Sequence, residues 1–265
     1  MSRHSKWSKI KNQKGSADQK KGAIFTKLSR AITVAARAGG DPTSNFKLRL
    51  VIDTAKSAAM PKDTIERAIA KGTGADKEGA QIIEETYEGF GPGGVAFMVE
   101  IVTDNKNRAY QELRQTFSEH GGNLGSSGSV AWMFEHKGVI RIAAPHLALR
   151  PSSPTRGEES PFVPLPTGEG RVREDIELKL IDAGAEDIAT EDEGITIYTK
   201  PEDLKSVEEK IRASGLTPEY AGLEWVPKEK LTIPEDARAK LENLENALDE
   251  LEDVSEYYTN ATELH

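Results

Sequence analysis

Seven cationic side chains, Arg3, Lys6, Lys9, Lys11, Lys14, Lys20 and Lys21, fall within the first 21 residues, against a single acid, Asp18. Trp7 sits inside the cluster. Lysine and arginine at this density displace condensed counterions from a phosphate backbone, and an indole offers a flat face on which a base can stack. The charge then continues through Lys27, Arg30, Arg37, Lys47, Arg49, Lys56, Lys62 and Arg67. A tail kept only for solubility would need no such continuation. The candidate nucleic-acid-binding set is therefore the seven leading cations, Trp7, and Lys27, Arg30, Lys47, Arg49, Lys62 and Arg67.

The 265-residue chain carries a formal charge of −9, and this total hides a polarity. Residues 1–74 hold 16 Lys/Arg and 5 Asp/Glu, a net of +11, and the remainder holds 19 and 39, a net of −20. The positive end reads as a polyanion-binding module, and the acidic remainder should repel the same polyanion.

Other chemistries find little support. The chain has no cysteine, which removes disulfide frameworks, thiolate metal sites and thiol catalysis and fits a reducing, cytoplasmic setting. The histidines His4, His120, His136, His146 and His265 are scattered, without metal-ligand spacing. The Gly91-Pro92-Gly93-Gly94 and Gly121-Gly122-Asn123-Leu124-Gly125 stretches lack the Lys-Ser/Thr ending of a phosphate-binding loop and read as tight turns. No apolar run reaches the roughly 18 residues of a membrane span, and the basic N-terminus has no apolar segment of a secretory signal behind it. The expectation is a non-enzyme with no cofactor, metal, membrane or small-molecule substrate.

Elements that position the cations follow from periodicity. Ile24, Leu28, Ala31 and Ala35 make one stripe of a helix over about 17–38. Asn45 is a candidate N-cap for a second helix carrying Leu48, Val51, Ile52 and Ala55. Pro61 fits the first position of a third, with Ile65, Ala68 and Ile69 inward and Gly72 closing it. Beyond, alternation marks strands, and spacings of four and three through Ala237, Leu241, Leu244, Leu248 and Leu251 mark a helix.

The fold class expected is α+β: a basic arm and three-helix domain over 1–76, then two α/β domains of ferredoxin-like β-α-β-β-α-β type, one inserted in the other. The outer domain would span 77–135 and 223–265, with strands 95–102, 129–134, 223–227 and 254–259 and helices 107–119 and 235–252. The inserted one, 136–222, would hold strands 138–143, 187–191, 194–199 and 217–222 and helices 173–183 and 202–213. Residues 145–171 fit neither. Six of the 13 prolines lie there, and the segment reads as a disordered, tolerated insertion.

Particular strings resemble the YebC family, which includes mitochondrial translational activators of cytochrome oxidase. They are His4-Ser5-Lys6-Trp7, Ile24-Phe25-Thr26-Lys27-Leu28, Gly39-Gly40-Asp41-Pro42, the run Met60-Pro61-Lys62-Asp63-Thr64-Ile65-Glu66-Arg67-Ala68-Ile69, Tyr87 to Gly94, Thr103 to Arg108, Gly121 to Gly125, Gly128 to Phe134, and Tyr258-Thr259-Asn260. The 145–171 loop is the departure. The resemblance implies a three-domain α+β protein of the cytoplasm or of mitochondria. It implies a DNA-binding transcriptional regulator, or a translation factor on the ribosome that helps synthesis through proline runs, with DNA or ribosomal RNA as partner. It transfers no catalytic residue. A scaffold whose acidic part docks proteins is the third reading. The cations resemble groups that contact phosphates and set position without reading sequence.

Overall fold

The small apolar stripes of the basic N-terminal region can be buried only against one another, and they form three helices, α1 (Asp18–Ala35), α2 (Phe46–Ser57) and α3 (Lys62–Gly72). The computed structural model describes residues 18–74, 82–143, 169–191 and 194–262. The helices meet through Ile32, Ala35, Leu48, Ile52, Ala55, Ile65 and Ala68, with Leu28, Val51 and Ile69 half-buried beside them. Asn45 works on two helices at once. Its Oδ1 accepts from the Leu48 N–H at 3.1 Å, capping α2, while its Nδ2 donates to the carbonyls of Ala35 and Gly39, both at 2.7 Å. Otherwise orphaned groups at both helix ends are thereby satisfied. Pro61 is the N-cap of α3 and not its first helical residue, one position earlier than expected.

From there the chain runs through β1 (Ile83–Phe90), β2 (Ala96–Thr103), α4 (Lys106–Glu119) and β3 (Asn123–Leu124). It continues through β4 (Phe134–Ala143), α5 (Glu169–Ala183), β5 (Asp187–Glu191), β6 (Gly194–Thr199), α6 (Leu204–Ala213) and β7 (Tyr220–Pro227). It ends with β8 (Leu231–Thr232), α7 (Glu235–Glu250), β9 (Val254–Thr259) and β10 (Ala261–Thr262). The chain divides into two compact units, one being His136–Leu223 and the other joining the chain up to Glu135 with the chain from Glu224 onward. The class is α+β, as the pattern of elements leads one to expect.

In the larger unit a sheet of order β3-β1-β2-β9 is antiparallel throughout. One face of it buries Phe97, Val99 and Ile101 against Leu113 and Phe117 of α4 and Leu241, Leu244 and Leu248 of α7. Phe97 and Phe117 meet edge to face at 5.5 Å. The alternate residues Ala96 and Met98 point to the other face, with Val130, Phe134 and Tyr258. Helix α1 reaches this sheet through Val34, which packs with Ile82 and Val102. The smaller unit holds most of a second sheet of order β5-β6-β4-β7. Its element order is β-α-β-β-α-β, with Leu180, Ile195, Ile197, Leu204, Val207 and Ile211 buried.

The first sheet differs from the ferredoxin-like order expected of it. Residues 83–90 form a strand that periodicity does not announce, because Glu84, Glu85 and Glu88 interrupt it. Eight residue pairs with β2, from Ile83↔Thr103 to Phe90↔Ala96, hold it in place, so tertiary pairing overrides local preference. Residues 129–134 are not a strand: Ala131–Met133 form a 3₁₀ turn. Residues 223–227 make no separate strand, since they continue β7 beside β4 in the second sheet. Of the segment 145–171, residues 145–168 lie outside the described residues, and Glu169 onward already belongs to α5.

Gly72 marks the tightest approach in the helical domain. A Cβ there would run into the Thr33 carbonyl oxygen and stand 2.7 Å from the Ala36 Cβ. Gly72→Ala should destabilise the protein by about 1–3 kcal/mol, read as a lower midpoint in thermal or urea unfolding. Gly22 lies inside α1 with open space around its Cβ position, so Gly22→Ala should stabilise by about 0.5–1 kcal/mol.

Candidate nucleic-acid interface

The cations assigned from the sequence separate into inward and outward groups. Arg3, Lys6, Trp7, Lys9, Lys11 and Lys14 lie outside the described residues, and Lys20 and Lys21 lie on the first turns of α1. Lys27 turns inward. It is 8% exposed, and its Nζ donates to the Asp249 carbonyl at 2.8 Å. Arg30 donates to the Asp253 carboxylate at 2.6 Å and to the Glu252 carbonyl at 2.9 Å. Lys47 pairs with Glu84 at 3.0 Å. Lys27 and Arg30 are used in docking the helical domain on the sheet domain, whereas Lys47, 60% exposed, makes a surface pair that leaves it open to solvent. Asp249 lies in the last turn of α7, where carbonyls lack intrahelical partners and the helix dipole favours a positive charge.

The outward group includes Lys62, paired at 3.4 Å with Glu66 and highly exposed, and Arg67, whose Nε donates to the Asp63 carbonyl at 3.2 Å. Arg49 lies over the Phe46 ring at 5.1 Å. Exposed pairs such as Lys62–Glu66 contribute about 0–1 kcal/mol, too little to withhold the cation from a phosphate. Arg37 and Lys71 are also exposed. Lys71 was missed in the sequence reading, although its spacing of four from Arg67 puts both on one side of α3.

Asp253, also unremarked in the sequence, is the centre of the docking contact. It is 5% exposed. Its carboxylate accepts from Arg30, from Arg108 Nη2 at 2.9 Å and from Thr103 Oγ1 at 3.0 Å, while its carbonyl accepts from the Val102 N–H at 2.8 Å. The hydrogen bond and charge of Asp253 raise the Arg108 pKa above its usual value. No local signal could reveal this, since Arg30 and Asp253 are 223 residues apart.

The glycine-rich stretch before Trp132 is a turn, built around Glu88. Gly128, Val130 and Ala131 donate their N–H groups to this carboxylate at 2.6, 2.7 and 2.8 Å, and Gly125 donates to the Glu88 carbonyl at 2.8 Å. Peptide groups that a strand ladder would need are thus taken by one side chain. Burial raises the Glu88 pKa, but the three peptide donors outweigh it and hold the carboxyl below its usual value.

Among the described residues no group of three or more His, Asp or Glu could hold a metal ion, and no helix is long and apolar enough to cross a membrane.

These features define an α+β protein whose basic helical domain is locked to an acidic sheet domain by a buried carboxylate. Residues 5–75 match the family model described as the TACO1/YebC protein N-terminal domain, and residues 82–261 match the TACO1/YebC second and third domain. The chain belongs to this family. A protein of Moorella thermoacetica is 46% identical over 264 residues, covering 98% of this chain and 95% of that one. One of Desulfosudis oleivorans is 43% identical over 263 residues, covering 99% and 97%. Each is described as a probable transcriptional regulatory protein. The crystal structure of a conserved hypothetical protein of Aquifex aeolicus, Aq1575, matches with a TM-score of 0.78 at 40% identity, covering 98% of this chain and 97% of that one.

Two outcomes follow from the carboxylates. Asp253→Ala should cost on the order of 2 kcal/mol in denaturant unfolding, below the 3–5 kcal/mol of a fully buried broken pair because both arginines reach water. The lowered pKa of Glu88 gives stability that is present above its unfolded-state value and lost as pH falls through the folded one. With Trp7→Phe and Trp225→Phe leaving Trp132 as reporter, its emission should stay constant on acidification until below the ordinary carboxylate range, then change.

Proposed function

We propose that this chain is a nucleic-acid-binding regulator of gene expression, which grips phosphates through the 1–21 cluster and the outward cations of the helical domain. The carrying observation is the charge polarity, +11 over residues 1–74 against −20 elsewhere. Docking engages Lys27 and Arg30 while Lys47, Lys62, Arg67, Arg37 and Lys71 stay exposed. Those that remain outward are lysines and arginines on helix surfaces, the groups that bind a backbone and set position. The description of the relatives as probable transcriptional regulatory proteins supports DNA as the target, with transcription as the process. The sheet domain takes the complementary role: its net negative charge orients an approaching polyanion toward the basic end.

Reversing Lys6, Lys9, Lys11 and Lys14 to Glu should weaken DNA binding by orders of magnitude. It should also flatten the salt dependence, whose slope scales as about 0.9 per neutralised phosphate. Filter binding across a salt series reads both. Unchanged affinity removes the 1–21 cluster from the interface. Co-sedimentation with ribosomes at low salt, with no retention of duplex DNA, would transfer the reading from transcription to translation.

A further inference from the structure

Trp132 is 68% exposed, the most exposed large apolar side chain among the described residues. It does not sit on a loose tip. The turn beneath it is fixed by the three backbone N–H groups that donate hydrogen bonds to the Glu88 carboxylate. Met133 donates to the Val130 carbonyl at 2.8 Å, Lys228 donates its backbone N–H to the Met133 carbonyl at 2.9 Å, and Val130 and Phe134 on either side are buried. The indole is therefore held out by a rigid seat.

Its chemistry is further restricted. The indole N–H, the only hydrogen-bonding group of the side chain, donates to the Ser129 carbonyl at 3.1 Å. What remains for a partner is the aromatic face. Beside it run Ser126, Ser127 and Gly128, small and exposed, which leave room for a bulky flat group. Just past the end of β7, Lys228, whose backbone N–H meets the Met133 carbonyl, is exposed and cationic. A rigid aromatic face without a free polar handle, bordered by small residues and accompanied by a lysine, matches the way sequence-tolerant proteins hold single strands: stacking on the base, charge on the backbone. A base inside a duplex has both faces covered and cannot stack here.

We propose that Trp132 is a stacking platform for an unpaired base of single-stranded nucleic acid, with Lys228 supplying charge for the flanking phosphate. The proposal rests on the nucleic-acid reading above and adds a second contact, on the sheet domain, that selects unpaired nucleotides.

The experiment uses the full chain carrying Trp7→Phe and Trp225→Phe, with Trp132 as sole fluorophore. It is titrated with short single strands of DNA and of RNA, the same strands lacking bases, a duplex of equal length, and a short polyproline peptide. Base-bearing single strands should quench Trp132, and abasic strands and duplex should not; the DNA and RNA arms show which sugar is accepted. In the otherwise native chain Trp132→Ala should lower affinity for base-bearing strands roughly 5- to 150-fold, the worth of one stacked base. It should leave abasic strands unaffected, and Trp132→Phe should restore most of the loss. Equal binding of abasic and base-bearing strands without quenching overturns the platform and leaves the phosphate-binding reading standing. Failure of every strand to bind at about 50 mM salt overturns both. Quenching by polyproline and by no strand makes the surface a peptide site and overturns the proposal.

Discussion

The arrangement of the larger unit depends on one buried charge. Asp253 stands where the last turn of the C-terminal helix gives way to strand β9, and three parts of the chain converge on its carboxylate: Arg30 from the helical domain, Arg108 from the start of α4, and Thr103 from the end of β2. Burying a carboxylate among apolar groups alone would be prohibitive. With two guanidinium partners and a hydroxyl, the desolvation is offset, and the gain lies in geometry more than in net free energy. Apolar contact of Val34 with Ile82 and Val102 would tolerate small rotations of the helical domain. A charge-assisted hydrogen bond at 2.6 Å would not. Lys27 adds a second fixed point at the Asp249 carbonyl.

This use of cations changes the meaning of the basic N-terminal region. Counted along the chain, its positive residues form a single group. In three dimensions Lys27 and Arg30 are engaged by carbonyls and a carboxylate of the sheet domain, and the outward residues keep their fields. An acidic partner domain next to a basic one would, without such pairs, be free to slide over it and mask the whole positive surface. Fixing a few contacts in place limits the masking to the side that is already docked.

What could be read from the chain, and what could not, follows from the range of the interactions. The helix start at Asn45 was legible because a cap acts over three residues. The strands 187–191, 194–199 and 254–259 were legible because a short apolar or β-branched run, such as Ile195-Thr196-Ile197, is a local signal. Strand β1 was not, because its partner contacts with β2 outweigh three glutamates that argue against a strand. The apparent alternation of Val130, Trp132 and Phe134 misled for the opposite reason: Glu88, some forty residues earlier, takes the peptide groups that would have formed a ladder. In the candidate site the residue types were legible, and the direction in which Lys27 and Arg30 point was not, since their acceptors lie more than two hundred residues away.

The Glu88 seat has a bearing on engineering. Because the carboxylate holds peptide N–H groups, it is indifferent to the side chains those groups carry; shape restricts Gly125, whose Cβ would collide with Ser129, Gly128, at a φ of 86°, and Val130, which is buried. The pair Ser126-Ser127 is then an exchangeable cassette on a rigid mount. Reporter groups or alternative residues could be installed there without redesigning the sheet beneath.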